Sequence, residues 1–373
     1  MTTALTSSRL DAVLRGEPVP WGAFDASPSE LVRACAAREI SGLVHERLEQ
    51  SATGADWPRD VREELARAAR AATAAALVTA REIAAVLAAL SSSGIDPVLL
   101  KGVPLAYGLY DAPGSRAHAD TDLLVRRDQV DEVRRVMAGL GYVEPPLSDG
   151  ELVFCQFQMM REDRFGIRHL FDVHWKISTQ SLFADVLTFE ELAEAAKPVP
   201  ALGPDARAAG PVHALLLACI HPAMHHRNSE RLIWLYDVHL LMNSLSTAHA
   251  EQFAAMAVRK QVAAICLHQL TVTRARFHTA IPDRLISILA GSGAEPSATY
   301  LQPGRRWEHE FGSNVRGLTR WRDRLRLVRE VTLPGRRYML EAYGVGPRGT
   351  VLLPALYVHR CVRGAWRIVR RRK

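Results

Sequence analysis

Asp120 and Asp122 stand either side of a single threonine at the head of the apolar run Leu123-Leu124-Val125. Residues two apart on a strand share one face, so both carboxylates project together with their backbones roughly 7 Å apart. Like charges so placed repel, and burial adds a desolvation cost unless a cation sits between them. A third acid, Asp172, interrupts another apolar run, Leu170-Phe171-Asp172-Val173-His174-Trp175. A neighbouring strand would bring it beside the first pair, converging three carboxylates on one point.

Such a convergence suits divalent cations, and hard oxygen ligands favour Mg²⁺ or Mn²⁺. Phosphoryl and nucleotidyl transfer use this arrangement, because two ions about 3.5 to 4 Å apart stabilise both the attacking and the leaving oxygen.

The surrounding periodicity supplies the strands. Arg59 to Leu90 is Ala-rich, with Leu65, Ala69, Ala72, Ala76, Ile83 and Leu87 near helical spacing, and Ser91 to Gly94 end it. The period then changes: Pro97 to Leu100 reads as a strand, Gly102 to Tyr110 as a helix and Thr121 to Val125 as a second strand. Asp128 is expected to cap a helix running to Leu140, which Gly141 stops. Leu152 to Met160 and Ile167 to Ile177 flank Glu162 to Gly166 as a β-hairpin. Beyond about Gln180 the pattern is helical almost to the end. The expected organisation is a helical region at 1–58, a core at 59–180, a helical substrate or accessory domain at 181–346 and a basic tail at 347–373.

Leu99-Leu100-Lys101-Gly102 ends a strand and opens a helix, where a glycine lets backbone N–H groups approach a phosphate. Lys101 or Arg116 could neutralise a triphosphate. With Arg116 and Asp120-Thr121-Asp122-Leu123-Leu124-Val125, this segment resembles the uncharacterised nucleotidyltransferases of the polymerase-β-like superfamily. Asp172-Val173-His174-Trp175 is similar to that family's third motif, and His221 with Trp234-Leu235-Tyr236-Asp237-Val238 to a recurrent feature further on. The resemblance covers roughly Leu87 to Leu245.

It implies an α+β chain: a polymerase-β-type core of a small mixed sheet with flanking helices, followed by a mainly helical C-terminal domain. It also implies a Mg²⁺-dependent (or Mn²⁺-dependent) enzyme that moves a nucleoside monophosphate from an NTP to a hydroxyl or similar group on a small-molecule or protein acceptor. Gly102 would then sit at the nucleotide phosphates and Asp120 and Asp122 would bind the metals. Asp172 would complete the site and help deprotonate the acceptor hydroxyl. One departure is plain: Val103 and Pro104 follow Gly102, where the superfamily usually has Ser or Gly. A non-catalytic accessory protein that keeps the fold and binds a nucleotide or a peptide is the alternative.

Other candidates divide between chemistry and packing. His174 shares a strand face with Asp172 and reads equally as a substrate contact or a partly buried histidine. His221 and His225 have i, i+4 spacing but no evident third zinc ligand, so packing is expected. Asp237 lies in an apolar helix and needs a partner, with Arg231, Arg227 or the substrate as candidates.

The net charge of +7 equals the seven positive residues between His359 and Lys373, which interleave with Val358, Val362, Trp366 and Val369. That tail reads either as an amphipathic helix for anionic lipid or nucleic acid, or as a solvated tail. Five scattered cysteines lack zinc or redox spacing and are expected to be reduced. The uncharged stretch from Ala208 to His226 holds two prolines and four histidines and is expected to be a buried helix, not a membrane span. Met1 to Pro18 lacks a secretory pattern, so the cytoplasm is the expected compartment.

Overall fold

The computed structural model describes residues 2–145, 155–293, 295–302, 307–318 and 320–370. The chain begins with α1 (Thr2–Leu14), α2 (Pro28–Ala37), α3 (Ser41–Gln50) and the long α4 (Arg59–Ser92). The core follows as β1 (Val98–Leu100), α5 (Gly102–Gly108), β2 (Thr121–Leu124), α6 (Val130–Gly139), β3 (Gln156–Glu162) and β4 (Arg168–His174). After α7 (Phe189–Glu194) come two short strands, β5 (Lys197–Pro198) and β6 (Arg207–Ala208). The rest is helical: α8 (Pro211–His225), α9 (Leu232–Ser244), α10 (Thr247–Arg259), α11 (Ala263–Phe277), α12 (Asp283–Ala290), α13 (Trp307–Gly317), α14 (Trp321–Thr332), α15 (Arg336–Ala342) and α16 (Leu353–Arg370). This is an α+β chain with a small mixed sheet and a large helical part.

The sheet runs in the order β3-β4-β2-β1-β6-β5. β2 is antiparallel to β1 and parallel to β4, while β3 and β4 form the expected hairpin. Beyond Gln180 the pattern is not wholly helical. β6 pairs in parallel with β1, and β5 completes the edge. Strands of two residues show no alternation in sequence, so tertiary pairing alone defines them.

Strand alternation assigns the two faces. Leu99, Leu123, Phe171, Val173, Phe157 and Met159 form one buried cluster with Ile83, Val86, Leu87 and Leu90 of α4 and Val130, Val133 and Met137 of α6. Val98, Leu100 and Leu124 point the other way, into a cluster with Leu215, Leu216, Cys219 and Ile220 of α8 and residues of α9 to α12. Each such aliphatic side chain contributes about 1.5 to 3 kcal/mol on burial. Asp122 pairs in register with Leu100 and with Asp172, so the acids open toward the helical part, away from α4.

By length and composition α4 would also reach across a bilayer. Here its apolar positions are divided between two cores. Val61 and Leu65 join α1, α3 and α9 in an N-terminal cluster, while Ile83 to Leu90 back the sheet. Tyr142 and Arg161 both hydrogen-bond Glu82 and tie α4 to the sheet.

Asp128 does not cap α6. It lies in a 3₁₀ turn that precedes the helix, with both carboxylate oxygens taken by the Arg126 guanidinium. A nearby cation outcompetes the orphan backbone donors for this exposed acid. Of the cysteines, Cys35, Cys155, Cys219 and Cys266 are buried and Cys361 is exposed, all as free thiols.

Candidate functional site

β1 delivers Lys101 to the site through an unusual backbone. Its φ of 55° with ψ of −129° is a conformation that costs a non-glycine residue about 1 to 3 kcal/mol. The turn swings the side chain over the sheet, where Nζ donates to Asp122 Oδ1 at 2.9 Å. On the next strand, His174 Nε2 lies 2.8 Å from the same oxygen. Asp122 is thus buried between a cation and an imidazole.

The parallel register sets Asp122 opposite Asp172 and Leu124 opposite His174. Asp122, Asp172 and His174 each offer a ligand atom within 4.8 Å of the others, which makes them, among the described residues, a group able to hold a metal ion. Asp172 Oδ2 accepts from Gln156 Nε2 at 3.3 Å, while Oδ1 and His174 Nδ1 are buried without a hydrogen-bond partner. An unpartnered buried carboxylate oxygen is costly, and a divalent cation would satisfy it. The donor set of two carboxylates and one imidazole fits Mg²⁺ or Mn²⁺ on its oxygens.

The electrostatics agree. Burial raises the Asp120 carboxyl to about 6, helped by the negative charges of Asp122 and Asp172. Burial, then Asp122, raises Asp172 as well. Burial would raise Asp122 too, but the Lys101 ammonium and the His174 hydrogen bond outweigh it and hold this carboxyl well below its usual range. Asp120 itself precedes β2, is half-buried, and faces the same cavity.

That cavity has a volume of about 650 Å³ and lies between the sheet, α5, α8 and α9. Lys101, Gly102, Arg116, Asp120, Asp122, Asp172 and His174 all line it, so every candidate from the sequence reaches one space. The opposite wall is aromatic. His221 packs edge-on to Trp234 at 5.0 Å between ring centroids, and His226 lies at 4.4 Å from the same indole. Burial, then the Lys101 charge, lowers His225 to about 3, and burial holds His221 well below its ordinary value. These imidazoles are neutral at physiological pH and suited to packing against an uncharged ligand surface.

Gly102 and Arg116 interlock. A Cβ on Gly102 would lie 3.1 Å from one Arg116 guanidinium nitrogen, so glycine is what lets the guanidinium pass behind α5. Gly114 permits a different close approach, of the turn before Arg116 to α4, where a Cβ would come 2.6 Å from the Thr73 amide nitrogen. Arg116 is committed elsewhere: Nε donates to Asp237 Oδ1 at 3.2 Å and Nη2 to Oδ2 at 2.7 Å. Tyr110 donates its hydroxyl to Asp237 Oδ1 at 2.7 Å.

The partner of Asp237 is therefore Arg116, not Arg231 or Arg227. Arg231 instead stacks over Trp234 and pairs at 3.6 Å with Glu39. The two residues of the buried pair are 121 positions apart, beyond any local sequence signal. Gln156 was not singled out from the sequence at all, and only its place on β3 beside Asp172 identifies it.

The family model for an uncharacterised nucleotidyltransferase matches residues 25–278, from just before α2 to the end of α11. No curated protein matches the chain.

Proposed function

The chain belongs to the uncharacterised nucleotidyltransferase family, and from that premise we propose that it moves a nucleoside monophosphate from an NTP to a hydroxyl or similar group on a small-molecule or protein acceptor. The observation that carries this reading is the pairing of Asp122 with Asp172 across β2 and β4, with a buried Asp172 oxygen left free beside it. Asp122 and Asp172, with Asp120 at the rim, would hold the divalent cation. When bound, it supplies Lewis-acid stabilisation of charge on the phosphate oxygens.

The remaining work falls to the chain. His174 fixes the Asp122 carboxylate in one orientation through its 2.8 Å contact. Asp172 takes the proton of the acceptor hydroxyl as its oxygen attacks the α-phosphorus, and pyrophosphate leaves with the electrons of the broken P–O bond. Lys101 supplies positive charge next to the phosphates. Arg116 does so from a fixed position behind Gly102, its charge largely offset by Asp237. The neutral aromatic wall of His221, His226 and Trp234 excludes water from one side of the cavity.

A second reading, nucleotide or peptide binding without turnover, draws on one observation. Val103, which follows Gly102, is buried in the cluster under the sheet and offers the phosphates no hydroxyl.

Titration calorimetry separates the two. The purified chain is titrated with non-hydrolysable analogues of ATP, CTP, GTP and UTP, with and without Mg²⁺, beside the Asp120→Asn, Asp122→Asn variant. Metal-dependent binding lost in the variant, followed by pyrophosphate release with the natural NTP, supports transfer. Binding without any release over a broad acceptor panel supports the second reading, and binding of none of the four contradicts both.

A further inference from the structure

The C-terminal helices outside the family match carry a distinct surface. From Arg320 to Lys373 there are fifteen Arg and Lys residues against three acids, a net charge of +12, while the preceding 319 residues carry −5. The positive charge of the whole protein therefore resides in this segment.

Its apolar residues are unusually exposed. On α14, Trp321, Leu325 and Val328 follow one another at helical spacing and are 65%, 59% and 39% exposed, while Leu327 is buried against its neighbours. On α16, Val358, Val362 and Trp366 follow at i, i+4 and i+8 with exposures of 63%, 62% and 53%. Val351 and Leu352, just before α16, are also exposed. Each of the two helices thus carries a row of exposed apolar residues, more than single scattered ones on a chain in water.

The orientation of α16 is fixed by its other side. Tyr357 donates to the Pro334 carbonyl at 2.7 Å, and His359 meets the Tyr343 hydroxyl at 2.9 Å. Arg360 reaches the Val331 carbonyl and lies over the Tyr338 ring. With that face anchored to α14 and α15, the valine and tryptophan row points outward.

We propose that α14 and α16 form a docking surface for an anionic lipid bilayer, with Trp321, Leu325, Val358, Val362 and Trp366 entering the interface and the arginines around them held by lipid phosphates. Charge complementarity selects this occupant. Each arginine near an anionic leaflet adds attraction, and the apolar row inserts at the headgroup boundary. A second copy of the chain would bring together two segments of net charge +12, which their repulsion opposes. Nucleic acid would satisfy the arginines but leave valines in rows without a partner.

The test is co-sedimentation of the full-length protein with vesicles of phosphatidylcholine alone and with vesicles containing about one third phosphatidylglycerol. Binding is expected to the anionic vesicles only, with a blue shift of tryptophan emission and weakening as salt rises. Val358→Asp with Val362→Asp is expected to reduce that binding about tenfold or more, while thermal unfolding and NTP binding match the parent. Both sites are exposed, so the fold tolerates the change. The proposal is overturned by equal binding to the two vesicle types or by full binding of the double variant. It is also overturned if the parent is a dimer that the variant makes monomeric, or if duplex DNA binds more tightly than anionic vesicles and the variant leaves that unchanged.

Discussion

The Lys101 ammonium lies 2.9 Å from Asp122 Oδ1, so a cation of the chain itself neutralises the most buried carboxylate of the proposed metal site. Lys101 is only 16% exposed, and breaking a buried pair by removing one partner typically costs about 3 to 5 kcal/mol. Lys101→Met is therefore expected to lower the melting temperature of the metal-free protein. The vacated negative charge is expected to bind Mg²⁺ more tightly. Thermal scans in chelator and in Mg²⁺ check this: the metal-induced rise in Tm should exceed that of the parent. An unchanged rise would mean that Lys101 does not compete with the cation.

Asp120 gives the metal-free protein a distinct pH dependence. Its carboxyl is raised from 3.8 to about 6 by burial and by the charges of Asp122 and Asp172. Between those values the folded state holds a proton that the unfolded state has released, so stability falls as pH rises from about 4 to 6. A shift of this size corresponds to about 1 to 3 kcal/mol. Asp122 acts with the opposite sign, but its stabilisation is fully present above its unfolded value and fades only as pH falls below about 4. Asp120→Asn should lessen the slope between pH 4 and 6, the likewise raised Asp172 keeping part of it, and make the metal-free protein more stable than the parent at pH 7. Urea unfolding in chelator at several pH values measures both.

The two acidic motifs were legible because each places a charge inside an apolar strand, a conflict that a cation resolves. The hairpin of β3 and β4 was legible from the turn between two alternating runs. That the Asp172 strand lies beside β2 was also expected from the acids, but its parallel direction and its register, Asp122 opposite Asp172, were not, since the two strands are joined through α6 and β3. The positive φ at Lys101 carried no signal either, because lysine is not a residue that advertises that conformation. Arg116 read as a free phosphate ligand only while Asp237 was out of sight, 121 residues away.

Asp172→Asn separates chemistry from fold. The amide keeps the shape and the contact with Gln156, and it removes a carboxylate that burial and Asp122 both disfavour in its charged form. The metal-free variant should be at least as stable as the parent. Transfer should fall on the order of 10²- to 10³-fold or more, since the residue is asked both to bind the cation and to take a proton. Parent-like turnover with intact folding would remove Asp172 from the mechanism.

Arg116 and Asp237 join the turn before β2 to α9 through two charge-assisted hydrogen bonds, both side chains being under one tenth exposed. The pair fixes the edge of the cavity from which Asp120 emerges. Asp237→Ala leaves the buried guanidinium with no counter-charge and only the Ala117 carbonyl as acceptor, and the Tyr110 hydroxyl without one, and is expected to cost about 3 to 5 kcal/mol. Arg116→Met with Asp237→Leu removes both charges and should recover the part of that loss due to the unpaired guanidinium, while the Tyr110 hydroxyl still lacks its acceptor. If the pair serves stability alone, the double variant should also regain metal-dependent NTP binding. If Arg116 contributes charge to the phosphates, it should fold like the parent and still bind NTP at least tenfold more weakly, about 1.4 kcal/mol. Chemical denaturation and calorimetry on the parent, Asp237→Ala and the double variant decide between these outcomes.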